Sequence, residues 1–201
     1  MKLLGLSGSA NSGKDLISDY VSHKYGFVKI AFSDKIKRII MNLYQFEYNQ
    51  LWGPSEERGK IDPRYNKVIR EFIQGFGDKG RELNIDTWVN YTMEVVGSIS
   101  EKFGYYYVNH YGLSYDGESS PKNVIISDGR YLNELDAIKQ RNGLVIRVVR
   151  PNSKISGSVG NHSSETDQNE IPSDFFHYVI ENNSTIEDLY EKIDRILLKH
   201  Q

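Results

Sequence analysis

Apolar residues along this chain alternate between short continuous runs and longer stretches with helical spacing. Lys2-Leu3-Leu4-Gly5-Leu6, Phe27-Val28-Lys29-Ile30-Ala31, Val124-Ile125-Ile126-Ser127 and the run Leu144 to Val149 are short, largely aliphatic and bounded by turn residues. They read as strands buried on both faces. Tyr178-Val179-Ile180-Glu181 is a fifth, weaker strand candidate. Between them, 14–24, 33–46 and 131–141 repeat apolar residues every three or four positions, as at Ile36, Ile39, Ile40 and Leu43 or at Leu132, Leu135 and Ile138. Ile186, Leu189, Ile193, Ile196 and Leu197 mark a last helix, capped by Ser184 or Thr185. Strands alternating with helices, and strands without a polar face, predict an α/β domain whose parallel sheet is covered on both sides. Ligands in such folds gather at the carboxyl ends of the strands.

The stretch from about 47 to 110 breaks the rhythm. It is helical in pattern, rich in arginine and aromatic residues, and lacks a core-strand candidate before Tyr105. Asp62-Pro63 and Gly75-Phe76-Gly77 read as interruptions. A helical excursion between the second and third sheet strands suits a substrate-gripping subregion. The Tyr/Gly/Ser-rich 105–122 segment reads as a hairpin, its tyrosines as packing and turn chemistry. The polar 152–170 segment, with Gly157 and Gly160, reads as a lid-like loop.

Composition narrows the classes. The 201 residues suit one domain, 1–201. With 25 basic against 27 acidic residues the formal charge is −2, too balanced to call for a duplex nucleic-acid partner. Cysteine is absent, which excludes disulfides and thiolate metal sites. The chain enters a core strand at once and has no apolar run long enough to span a bilayer, so the expectation is a cytoplasmic protein without signal peptide or membrane partner.

The chemistry concentrates after the first strand, at Gly8-Ser9-Ala10-Asn11-Ser12-Gly13-Lys14-Asp15. Strand, glycine-bounded loop, lysine and helix form the phosphate cradle of P-loop proteins. The glycines let backbone N–H groups face an anion, and Lys14 can reach the β- and γ-phosphates. Asp15 stands where Ser or Thr usually ligates magnesium. It is either a water-mediated metal contact or a first-turn carboxylate opposing the helix dipole. Asp128, at the end of a buried strand, is a candidate magnesium partner, with a helix N-cap as the competing role. Arg70, Arg81, Arg130 and Arg150 lie near predicted element ends, where guanidinium forks can bind phosphate. Asp34 either contacts an acceptor or caps a helix. His162, in the candidate lid, is a loop histidine with no triad partner in the sequence.

Taken together these segments resemble the deoxynucleoside monophosphate kinases of tailed bacteriophages, within the P-loop nucleoside monophosphate kinase superfamily. The resemblance rests on Leu6 to Asp15, Ala31 to Lys37, Gln74 to Gly77 with Arg81 and Asp86-Thr87-Trp88-Val89, Ile126 to Arg130 with Glu134, and Val148 to Pro151 followed by His162 to Glu165 and Ile180-Glu181-Asn182. It covers nearly the whole chain. It implies a three-layer P-loop NTPase fold, a five-stranded sheet of order 2-3-1-4-5, a helical acceptor-binding subdomain and a lid. It also implies transfer of the γ-phosphoryl group of ATP, with Mg2+, to a deoxynucleoside 5′-monophosphate. On this resemblance Lys14, Arg130 and Asp128 carry catalysis. Gly8, Ser9, Ala10, Asn11, Ser12, Gly13, Lys14, Asp15, Arg150 and Asn182 hold ATP. Asp34, Lys37, Arg70, Gln74, Arg81, Trp88, Arg130 and Glu134 hold the acceptor, and Asp15 and Asp128 meet the metal, directly or through water. The same scaffold serves phosphomevalonate and dephospho-coenzyme A kinases, and a nucleotide-binding switch module is a third reading; a homodimer is left open. The segment Gly75 to Gly80 departs from the Gly-Thr pattern of the family, and the lid candidate has Lys154 but no arginine after Arg150.

Overall fold

The computed structural model describes residues 3–101, 106–109, 112–115, 120, 122–151 and 170–200. The chain order is β1 (Leu3–Ser7), α1 (Lys14–Tyr25), β2 (Val28–Ile30), α2 (Asp34–Tyr44), α3 (Tyr48–Trp52), α4 (Ser55–Arg58), β3 (Ile61–Asp62), β4 (Lys67–Val68), α5 (Ile69–Leu83), α6 (Thr87–Glu101), β5 (Tyr106–Asn109), β6 (Gly112–Tyr115), β7 (Val124–Gly129), α7 (Leu132–Gln140), β8 (Leu144–Val149), β9 (Tyr178–Glu181) and α8 (Ile186–Leu198). Five strands form one sheet in the order β2-β7-β1-β8-β9, with every pairing parallel. Two small antiparallel ladders, β3-β4 and β5-β6, enlarge the chain numbering; the five sheet strands counted alone run 2-3-1-4-5.

All of β1 is buried, as its unbroken apolar run requires. Leu4 and Leu6 pack with Ile125, Ile146 and Val148 against Ile17 and Val21 of α1 and Leu189, Ile193 and Leu197 of α8. Leu3, Val124, Ile126 and Val145 pack on the opposite face against Val89, Met93, Val96 and Ile99 of α6 and Leu135 and Ile138 of α7. Helices therefore cover both faces, giving the three-layer fold. A third, separate core holds the excursion together: Ile40, Phe46, Leu51 and Ile69, with Tyr44, Trp52, Phe72, Ile73 and Phe76 against them.

Several boundaries move. Gly75-Phe76-Gly77 does not interrupt the chain; it lies within the continuous helix α5. A helical glycine costs about 1 kcal/mol relative to alanine, which the apolar stripe Ile69, Phe72, Ile73 and Phe76 outweighs by packing on α2 and α3. Gly80 has a steric reason to lack a side chain, since a Cβ there would sit 2.3 Å from Cζ2 of Trp88. Asp128 lies inside β7, one residue before its end. Between the two candidates for the last helix, Thr185 is the cap, its Oγ1 accepting from the N–H of Asp188 at 3.2 Å. The 105–122 segment does contain a hairpin, β5 on β6. Of the 152–170 lid, 152–169 lie outside the described residues, and with them Lys154 and His162.

Candidate active site

The parallel sheet brings the ends of β1, β2 and β7 together on one side of the molecule, where a cleft of about 200 Å3 opens. Its floor is the loop between β1 and α1. Gly8 and Gly13 hold φ of 143° and 107°, and Asn11 a φ of 61°, a curl that turns successive N–H groups inward. Neither glycine tolerates a side chain. A Cβ on Gly8 would meet the Val148 carbonyl oxygen at 2.2 Å, and one on Gly13 would meet Nδ2 of Asn182 at 2.6 Å. Lys14, buried at 7 % exposure, donates from Nζ to the carbonyl oxygens of Gly8 and Ser9, both at 2.7 Å. Its ammonium is thus held at the loop mouth. The buried Ser12 hydroxyl has no hydrogen-bond partner among the described residues.

Twelve of the residues singled out from the sequence line the cleft. Ala10, Asn11, Lys14 and Asp15 come from the loop and α1, and Lys37 from α2. Arg70, Gln74 and Arg81 come from α5, Trp88 from α6, Asp128 and Arg130 from the end of β7, and Glu134 from α7. Three of the four candidate arginines, Arg70, Arg81 and Arg130, meet in this cleft. Others sit elsewhere. Asn182 lies outside the cleft and props the loop from behind, Nδ2 donating to the Ser12 carbonyl at 2.9 Å. Arg150 is exposed at the end of β8 and outside the cleft lining. Gly8, Ser9, Ser12 and Gly13 shape the loop without lining the cavity. Asp34 is a wall support: Oδ2 accepts from the Ala31 N–H and Oδ1 from Nε1 of Trp52, both at 2.8 Å. Burial pushes the Asp34 carboxyl up, opposed by Lys37, whose own ammonium burial pulls down.

Asp128 does not cap α7. Its Oδ1 accepts from the N–H of Phe32 at 2.7 Å and Oδ2 from that of Ser33 at 3.1 Å, tying β7 to the start of α2. Glu134 takes over the helix start, Oε2 accepting from the N–H groups of Arg130 at 2.8 Å and Tyr131 at 3.1 Å. Burial foremost, and the neighbouring Asp128 charge, push the Glu134 carboxyl up to about 7. Arg81 pairs with Asp78 at 2.6 Å and lies 4.3 Å from the Tyr131 ring centre. Trp88 donates from Nε1 to the Gly77 carbonyl at 2.9 Å and rests on Gly80, whose missing side chain admits its ring to the cleft wall.

Arg58 was not visible as a site residue in the sequence, yet it lines the cleft. It follows Glu56 and Glu57 in a polar stretch that reads as solvated surface. Nη1 donates to the carbonyls of Gly53 at 2.7 Å and Leu51 at 3.2 Å.

A divalent cation fits this donor set only with help from a ligand. Asp15 is exposed on the first turn of α1, 3.7 Å from Lys29, and Asp128 already accepts two backbone N–H groups. Among the described residues no three metal-binding side chains cluster. That suits Mg2+, which keeps several waters and is held by one or two carboxylates plus substrate phosphates.

The sequence profile of the family described as deoxynucleotide monophosphate kinase matches residues 69–193. The chain belongs to the deoxynucleotide monophosphate kinase family. It is thereby a phosphotransferase. The deoxynucleotide monophosphate kinase of Enterobacteria phage T4 is 25 % identical over 244 residues, 98 % of this chain and 99 % of the phage protein. A protein of Acanthamoeba polyphaga mimivirus that carries the same name provisionally is 29 % identical over 198 residues, 96 % of this chain and 94 % of its own. Shikimate kinase from Acinetobacter baumannii superposes with a TM-score of 0.51 at 14 % identity, covering 100 % of this chain and 95 % of its own. Dephospho-CoA kinase from Campylobacter jejuni gives 0.50 at 14 %, with 98 % and 96 % covered. At that identity the likeness is one of fold. Among the described residues no helix is long and apolar enough to cross a membrane.

Proposed function

We propose that this deoxynucleotide monophosphate kinase-family protein transfers the γ-phosphoryl group of ATP to a deoxynucleoside 5′-monophosphate. One observation carries the reading: the P-loop lysine shares a single cleft with arginines from three elements and with an apolar-walled extension. Lys14 and the Gly8–Asp15 loop hold the donor phosphates, while Asn182 keeps the loop curled. Arg70, anchored by Ser55 Oγ at 2.9 Å, and Arg130 receive the acceptor phosphate. Trp88, Tyr131 and Ile73 supply flat and aliphatic wall for a base, and Gln74 and Arg81 the polar edge that orients it. Lys37 adds positive charge beside the acceptor. Asp15 and Asp128 would meet Mg2+ through water, and Mg2+ supplies charge neutralisation on the donor phosphates. In that pose the acceptor phosphate lies in line with the γ-phosphorus.

The test is ADP formation from Mg-ATP with dAMP, dGMP, dCMP, dTMP and 5-hydroxymethyl-dCMP, their ribose counterparts, phosphomevalonate and dephospho-coenzyme A. Turnover that requires a deoxynucleoside monophosphate supports the reading. Turnover only with the last two acceptors, or slow hydrolysis indifferent to every acceptor, overturns it.

A further inference from the structure

We infer that Arg58 contacts the phosphoryl group in flight, so that the excursion supplies a transition-state contact as well as an acceptor pocket. The inference rests on the phosphotransfer reading above. Arg58 sits at the end of α4, and its guanidinium is partly withdrawn from water. Burial, followed by the nearby charges of Arg70 and Arg130, weakens its hold on its proton, while Asp15 and Glu56 strengthen it. Apart from Glu56 on its own α4, those neighbours come from three different places: the acceptor side (Arg70 on α5), the end of β7 (Arg130) and the first turn after the P-loop (Asp15). Arg58 is thus a cation of the excursion that lines one cleft with Lys14 and Asp15 on the donor side and with Arg70 and Arg130. Its partners do not neutralise it. Both of its hydrogen bonds go to neutral carbonyls, Gly53 and Leu51, through Nη1 alone, and among the described residues it forms no ion pair. The carbonyl clamp fixes the plane of the fork while Nε and Nη2 make no hydrogen bond within the described chain. Three guanidiniums gathered this way repel one another until an anion arrives, and the anion whose charge peaks between the two halves is the transferring group.

In the step itself, an acceptor phosphate oxygen bonds to the γ-phosphorus as the bond from that phosphorus to the β–γ bridging oxygen breaks. The electron pair leaves with ADP. Arg58 donates hydrogen bonds to the equatorial oxygens and neither gains nor loses a proton.

The test is steady-state kinetics of Arg58→Ala and Arg58→Lys beside wild type, with circular dichroism melts and ATP affinity measured on each. Expected is a fall in kcat of about 10^3-fold for Arg58→Ala, with KM for both substrates within a few-fold and partial recovery on adding guanidinium ion. Arg58→Lys, which keeps the charge, should remain folded and still lose at least about 10^2-fold because the fork is gone; it carries the test if the alanine variant unfolds. A kcat within about threefold of wild type in a folded variant, or a loss confined to acceptor KM, overturns the inference. Wild-type protein without acceptor-dependent turnover sinks the phosphotransfer reading itself, a result told apart by needing no variant.

Discussion

Replacing Glu134 with glutamine should change how stability depends on pH. Glu134 is 5 % exposed and its carboxyl is raised from 4.5 to about 7, by burial first and Asp128 second. Between those two values the native protein holds a proton that the unfolded chain has released. The stability carried by the protonated form is therefore complete below 4.5 and is lost as pH rises through 7. At about 1.4 kcal/mol per pH unit, ionising Glu134 in place costs about 3 kcal/mol by pH 8. Glutamine keeps an oxygen for the N–H groups of Arg130 and Tyr131 but does not titrate. Urea unfolding of both proteins at pH 4.5, 5.5, 6.5 and 8 checks this. The wild-type unfolding free energy minus that of Glu134→Gln should fall by about 3 kcal/mol across the series and level off above 7. A difference that stays constant across the series would show that desolvation does not set this carboxyl, and the capping bonds at the start of α7 would then dominate.

Three further outcomes are expected. Lys14→Ala should abolish phosphotransfer while the thermal melt moves little, since the bonds it gives up to the Gly8 and Ser9 carbonyls lie at the loop and not in either core; wild-type-like turnover refutes the donor site. Asp128→Ala should destabilise by about 2–4 kcal/mol, because the Phe32 and Ser33 N–H groups lose a charged acceptor. Asp128→Asn should recover much of the stability in urea titrations but little of the activity, and full activity in the asparagine variant would remove Asp128 from the chemistry. Gly80→Ala should be destabilising by about 1–3 kcal/mol despite alanine's better helix propensity, since the methyl drives into the Trp88 indole; a rise in melting temperature would mean the α5–α6 crossing yields freely.

The sheet was legible because its strands are continuous aliphatic runs, and the loop after β1 because its curl needs left-handed backbone at Gly8 and Gly13. Asp128 and Lys14 followed from their places at strand and helix ends. The supports were not legible. Asp34 and Asn182 look like ligand residues in a linear reading, yet one steadies Trp52 and the other the Ser12 carbonyl, contacts 18 and 170 positions away. Gly75 and Gly77 look like breaks, while the reason for Gly80 is a ring on another helix, that of Trp88. Arg58 was hidden by its acidic neighbours, since convergence with Arg70 and Arg130 exists only after folding.

The separate aromatic core of the excursion bears on how such a protein can vary. Tyr44, Phe46, Tyr65 and Phe72 interlock with ring centres 4.7 to 6.2 Å apart, without drawing on either face of the sheet. Exchanges there reshape one wall of the cleft and leave the phosphate loop and its supporting strands untouched. On the function proposed above, acceptor preference can thus drift while the loop after β1 stays fixed, which makes the division of the interior a division of evolutionary risk.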